Sequence, residues 1–274
     1  MAQTENKLRI PETLRKVKNI VGVFSAKGGV GKSAISLQIA LALKDKGLKI
    51  GLVDADIYGP SQPVMLNSAA GELKLTQDKV IEPLIKEGIK FISMGLISNE
   101  KMPVIWRGPM VSGAVMQLLS QTEWGELDYL IVDTPPGTGD VQLTLLQRIP
   151  LTSSIVVTTP QKVAISDCKK GIEMINKLNL PISGLIENMS WFQPDETDKK
   201  YYLFGRDGGK ELSEEYSLDL LAQLPLVELT DDANIQNNPT LKKEFVNISD
   251  KLTESIKNLK EKKSAGIPQI NIIQ

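Results

Sequence analysis

The sequence predicts an α/β protein built on a doubly wound, mainly parallel sheet with helices on both faces. Short apolar runs at 20–24, 50–53, 89–92, 129–132, 155–158 and 184–187 lack polar alternation, as strands buried on both faces do. Helix-period segments lie between and beyond them, at 33–46, 109–121, 140–147, 162–178, 208–216 and 239–260. Strands separated by helices need parallel crossovers, and ligands then gather at the carboxyl ends of the strands. With 274 residues, 41% hydrophobic and 24% charged, the chain can bury one large core. The expected organisation is an N-terminal extension at 1–18, a single domain at 19–262 and a tail at 263–274. Neither an internal repeat nor a low-complexity segment interrupts it.

The first strand runs directly into the most informative stretch, GVFSAKGGVGKS at 22–33. Gly28, Gly29 and Gly31, with Val30 among them, allow successive backbone N–H groups to turn inward around phosphate oxygens. Lys32 adds a point charge for the outer phosphates, Ser33 offers a hydroxyl to magnesium, and Ala34 continues the helix whose N-terminus faces the anion. A chance glycine-rich turn is the competing reading, and the strongly apolar strand and helix on either side oppose it. The ligand predicted is a magnesium-bound nucleoside triphosphate.

Acids follow at the ends of later strands. Asp54 and Asp56 stand at alternate positions after the second, and Asp133 closes the fourth, TyrLeuIleVal at 129–132. Solvated turn residues would look similar, but acids that end buried strands beside a phosphate loop are placed to serve magnesium's water shell and to orient an attacking water. Thr138, Gly139 and Asp140 form a candidate switch segment, ordered by the γ-phosphate and released after hydrolysis. The string Asn176-Lys177-Leu178-Asn179 lacks the Asp of a guanine-reading Asn-Lys-x-Asp run, which favours ATP.

A second lysine, Lys27, precedes the glycines. It resembles the signature lysine of the deviant Walker A group of P-loop ATPases, which includes MinD, ParA, the nitrogenase iron protein and Mrp. The resemblance implies that Lys27 reaches the partner's phosphates across a homodimer that sandwiches nucleotide. It also implies that Asp56 positions water and Asp54 supports the metal. Asp133 resembles the Walker B acid that contacts magnesium through water, with the Gly137 N–H directed toward the γ-phosphate. By the same resemblance Asn188 faces the adenine and Pro225 flanks its ring. Three further runs, PVIWRGP at 103–109, DTPPGTGD at 133–140 and ENMS at 187–190, narrow the similarity to the Mrp (ApbC) family over about 19–239. That family hydrolyses ATP slowly and binds and transfers iron-sulfur clusters to apoproteins, so apoprotein clients or iron-sulfur assembly proteins are the implied partners.

The chain departs from that family where the cluster would bind. Members with cluster activity place a Cys-x-x-Cys pair just after the Asn-Met-Ser run; here the loop reads WFQPDETDKKYY at 191–202, polar, proline-containing and expected to be exposed. The sequence holds one cysteine, Cys168, and no histidine, whereas cluster iron prefers thiolates with histidine as the usual substitute. Cys168 sits in a helical pattern and reads as a small packing residue. A nucleotide-switched adaptor of the MinD or ParA type, with no cluster, is the alternative.

Charge and hydropathy exclude other classes. With 32 basic against 33 acidic residues, the chain has no electrostatic footprint for sequence-independent nucleic-acid binding. No apolar run approaches a membrane span, and the polar start lacks a signal-peptide core, which predicts cytoplasmic residence. A single cysteine fits a reducing compartment. The charged segment 251–274 puts Leu252, Ile256 and Leu259 on one face before Gly266 and Pro268. Its mixture of Glu and Lys favours a helix docked on the core over one lying on a membrane.

Overall fold

A computed structural model describes residues 10–68, 73–76, 80–97, 108–194, 196–227 and 238–265. In chain order the elements are β1 (Ile20–Phe24), α1 (Lys32–Asp45), β2 (Ile50–Asp54), α2 (Gln62–Met65), β3 (Lys74–Leu75), β4 (Ile81–Glu82), β5 (Leu84–Lys86), β6 (Ile89–Ser93), α3 (Met94–Ile97), α4 (Gly108–Gln121), β7 (Tyr129–Asp133), α5 (Asp140–Arg148), β8 (Ser153–Thr158), α6 (Lys162–Lys177), β9 (Ile182–Glu187), α7 (Gly208–Tyr216), β10 (Leu220–Gln223) and α8 (Pro239–Ser264). The eight-stranded sheet has the order β10-β9-β8-β1-β7-β2-β6-β5. Every pairing is parallel except that of β5 with β6 at one edge. A separate antiparallel pair joins β3 to β4.

Period-2 geometry sends alternate side chains of each strand to opposite faces. Val21, Val23, Leu52, Ile131, Ile155 and Ile186 enter one core, which the apolar faces of α1 and α8 cover. Phe24, Val53, Val132, Val156 and Leu185 enter the other, closed by side chains of α4, α5, α6 and α7 such as Leu118, Leu145, Ile172 and Leu212. Both faces are therefore dry, as the unalternated runs require. Because the central strands are parallel, the carboxyl ends of β1, β2, β7, β8 and β9 share one edge. The site is built there.

The helices begin and end close to the expected positions. α1 starts one residue earlier, at Lys32, and α8 runs on to Ser264. Asn238 caps α8, its Oδ1 accepting the N–H groups of Thr240 and Leu241 at 3.1 Å each, with Pro239 as the first helical residue. Leu252 and Ile256 are buried in the α1-side core, so this helix is docked rather than free. Gly266 and Pro268 lie outside the described residues. β8 and β9 each begin two residues before the expected start, since Ser153, Ser154 and Ser183 satisfy their hydroxyls inside the sheet.

One correction and two refinements concern the shorter segments. The short elements α2, α3, β3, β4, β5 and β10 are absent from the sequence reading, being two to four residues long with no resolvable period. The nominal extension is docked over its last part: Leu14 is buried, Thr13 donates to Ser120 O at 3.0 Å, and Val17 bridges Leu127. In the loop at 191–202, Phe192 and Tyr201 exchange backbone hydrogen bonds of 2.8 Å in each direction, and Lys200 lies 3.8 Å from the Trp191 ring centroid. That loop is exposed over much of its length, as expected, and is pinned where Phe192 meets Tyr201.

Candidate functional site

The phosphate loop leaves β1 at Ser25 and turns along the carboxyl edge of the sheet. Lys27, Gly28 and Gly29 are exposed, while Val30 and Lys32 are buried. Gly31 has φ +83°, and a Cβ there would run into the Asn188 amide, so the turn depends on glycine. Asn188 Nδ2 donates to Val30 O at 2.9 Å, which ties the end of β9 to the loop. No side chain caps α1. Its first N–H groups, those of Lys32, Ser33 and Ala34, therefore have no partner within the helix and face the position an anion would take.

Behind the loop is a buried charged cluster. Asp54 and Asp133 are Cα partners across β2 and β7, and both are fully buried. The Lys32 ammonium forms an ion pair with Asp133 Oδ1, and the same oxygen accepts from Ser36 Oγ at 3.1 Å. Asp54 accepts from Ser93 Oγ at 3.0 Å and from the Asp56 N–H at 3.1 Å. Burial, and then the neighbouring Asp133 carboxylate, push the Asp54 carboxyl up to about 7. Two carboxyls this close can carry two negative charges, and Lys32 offsets only one of them.

The remaining acid has a different setting. Asp56 accepts the N–H groups of Tyr58 and Gly59 at 3.1 and 3.2 Å in a tight turn. It borders an open groove of about 410 Å³ with Pro135, Pro136 and Gly139. Directly after Pro136, Gly137, with φ +111°, donates its N–H to Ser25 O at 2.9 Å. The N–H that the sequence directs at a γ-phosphate is thus engaged with the phosphate loop itself, and a phosphate contact requires that bond to be exchanged. Lys27 has no side-chain partner among the described residues.

On the other side of the loop, a cavity of about 190 Å³ is lined by Gly31, Ala34, Asn188, Pro225 and Phe245. Its apolar walls with one amide suit a flat heteroaromatic ring. Asn188 and Pro225, the two residues that the resemblance places at the base, thus line one cavity beside the phosphate loop. Cys168 is elsewhere, on α6: it is buried, and burial pushes its thiol up to about 12. Trp106 and Arg107 lie outside the described residues.

Sequence reasoning missed several members of the cluster. Ser36 follows Lys32 by one helical turn, so helical spacing alone could have found it. Gln62, which donates to Ser33 O at 2.8 Å and Asp133 Oδ2 at 3.0 Å, had no local signal. Thr134 and Gln142 form a similar hidden pair: Gln142 Nε2 donates to Thr134 Oγ1 at 2.9 Å, and that hydroxyl donates to Val23 O at 2.8 Å.

Comparison with known proteins agrees with this geometry. The family model described as "ParA: NUBPL iron-transfer P-loop NTPase" matches residues 16–260. The chain is 47% identical over 223 residues to an iron-sulfur cluster carrier protein of Pseudomonas fragi, covering 81% of this chain and 78% of that protein. It is 45% identical over 231 residues to an iron-sulfur cluster carrier protein of Synechocystis, covering 82% of this chain but 65% of that protein. Among solved structures, a nucleotide-binding protein from Archaeoglobus fulgidus in complex with ADP superposes with a TM-score of 0.69 at 29% identity, covering 88% of this chain and 90% of that one. The phosphate loop, the paired strand-end acids and this match along most of the chain together make the protein a member of the ParA/NUBPL iron-transfer P-loop NTPase family.

Proposed function

We propose that the chain binds and slowly hydrolyses ATP with magnesium as a homodimer, and that this cycle serves iron-sulfur cluster transfer to apoproteins without the cluster resting on the chain's own cysteine. The observation that carries the nucleotide part is the buried Lys32–Asp133 pair beside Asp54 at the carboxyl edge of a parallel sheet. In this reading Lys32 and the amides of Gly28 to Ala34 hold phosphates, and residues 19–262 form the ATPase domain.

The donor set suits magnesium. Ser33, Asp54 and Asp133 offer hard oxygens, and magnesium takes one or two carboxylates plus phosphates and waters rather than an all-protein cage. When bound, the ion would offset negative charge on the transferring phosphoryl group. Asp56, at the groove, accepts a hydrogen bond from the attacking water and orients it. Lys27 is free to reach the partner's phosphates, and Asn188 and Pro225 position the adenine.

The cluster part rests on the named relatives and on one chemical limit. The only cysteine is buried with its thiol proton held tightly, and there is no histidine. Cluster ligation needs exposed thiolates. A thiol-bearing partner therefore holds the cluster while this chain supplies the ATP-driven step. No observation in the structure favours the adaptor alternative.

Anaerobic reconstitution with iron and sulfide tests this reading. The purified dimer should retain no stoichiometric cluster, and a Cys168→Ala variant should behave identically. One cluster per dimer with charge-transfer absorption in the visible, abolished in Cys168→Ala, would contradict it.

A further inference from the structure

Gln62 opens α2, directly after the turn that holds Asp56, and its side chain is completely buried. Three bonds fix it against the metal side of the site. Its N–H donates to Asp54 Oδ2 at 3.2 Å, and its Nε2 donates to Ser33 O at 2.8 Å and to Asp133 Oδ2 at 3.0 Å. Both partners of Nε2 are acceptors, so the amide cannot be reversed without setting oxygen against oxygen. Oε1 is consequently directed away from them, buried and without a partner among the described residues. A buried amide oxygen left unpaired is costly.

We propose that Gln62 is a positioning residue of the magnesium site, its Nε2 holding Asp133 and the Ser33 backbone in place for the ion and its water shell. This inference rests on the reading of the site as one for magnesium and nucleotide. It also resolves a conflict within the cluster. Lys32 cannot serve Asp133 and the phosphates equally, and as its ammonium turns to the phosphates, Asp133 would lose its charged partner. Gln62 still holds the second carboxylate oxygen, and Ser36 the first. The acid keeps its orientation for a metal-bound water, as outer partners of metal ligands commonly ensure. Because the same residue also bonds the Ser33 carbonyl through its side-chain amide and Asp54 through its backbone N–H, it touches all three residues that offer oxygen to the ion.

Calorimetric titration with ADP, in EDTA and across a magnesium series, tests this. Gln62→Met keeps length and volume but removes both amide groups. It should bind ADP in EDTA within about twofold of the parent while needing at least about tenfold more magnesium for half of the metal-dependent gain. Binding in EDTA reports that the fold survives; Gln62→Leu serves if the Met variant does not fold. An unchanged magnesium half-point overturns the inference, as does an equal loss with and without the metal, which would mark a purely structural role. A parent protein whose ADP affinity ignores magnesium would overturn the magnesium reading itself, and that outcome is visible without any variant.

Discussion

Asp54 carries the clearest electrostatic signature of any single residue. Its carboxyl is pushed up to about 7 by burial and by Asp133, against about 4 in an unfolded chain. A raised carboxyl pKa means that the folded state binds the proton more tightly. Its stabilising contribution is complete below about pH 4 and is lost as pH rises through 7. Free of metal and nucleotide, the protein should therefore lose stability between about pH 4 and 7, by on the order of 4 kcal/mol at most. Denaturant melts of Asp54→Asn should show a much flatter dependence over that window; parallel curves would mean Asp54 is not the source. The strand-end acids were legible in the sequence because each closes an apolar run. Gln62 was not, because its role comes from a turn that folds residues 54 to 62 back on themselves, and no local pattern encodes that return.

At the scale of elements, the joint between β1 and α1 depends on Gly31 and on Asn188 reaching back from β9. Gly31→Ala should strain the left-handed turn by roughly 1–2 kcal/mol and displace the Asn188 amide. We expect a melting temperature lower by about 2–8 °C together with weakened nucleotide binding. An Ala variant that binds nucleotide like the parent would show that the joint tolerates a side chain. The long helices and inner strands were readable because a two-sided core imposes period 3.6 on one and uninterrupted apolarity on the other. β5 and β10 were not readable. They are short edge strands, half-exposed in part, with no run long enough to distinguish a strand from a turn. Ser153 and Ser183 concealed strand starts for a different reason: hydroxyls that bond to each other inside the sheet look like loop residues in sequence.

For the whole molecule, the decisive feature is the open carboxyl edge, where the exposed Lys27 has no side-chain partner among the described residues and Asp56 borders an open groove. If that edge closes against a second copy, light scattering should report a doubling of mean mass when ATP is added to the parent. Lys27→Ala should stay monomeric while binding ATP with affinity close to the parent's. Dimerisation of that variant with ATP would remove Lys27 from the interface. The loop at 25–33, with Lys32 poised on Asp133, should bind nucleotide. Calorimetric titration of magnesium-ATP into the parent and into Lys32→Ala tests it most directly, with thermal melts confirming that both are folded. The parent should bind saturably, and the variant should lose about 100-fold or more in affinity, roughly 3 kcal/mol. Equal affinity in the two folded proteins would contradict it.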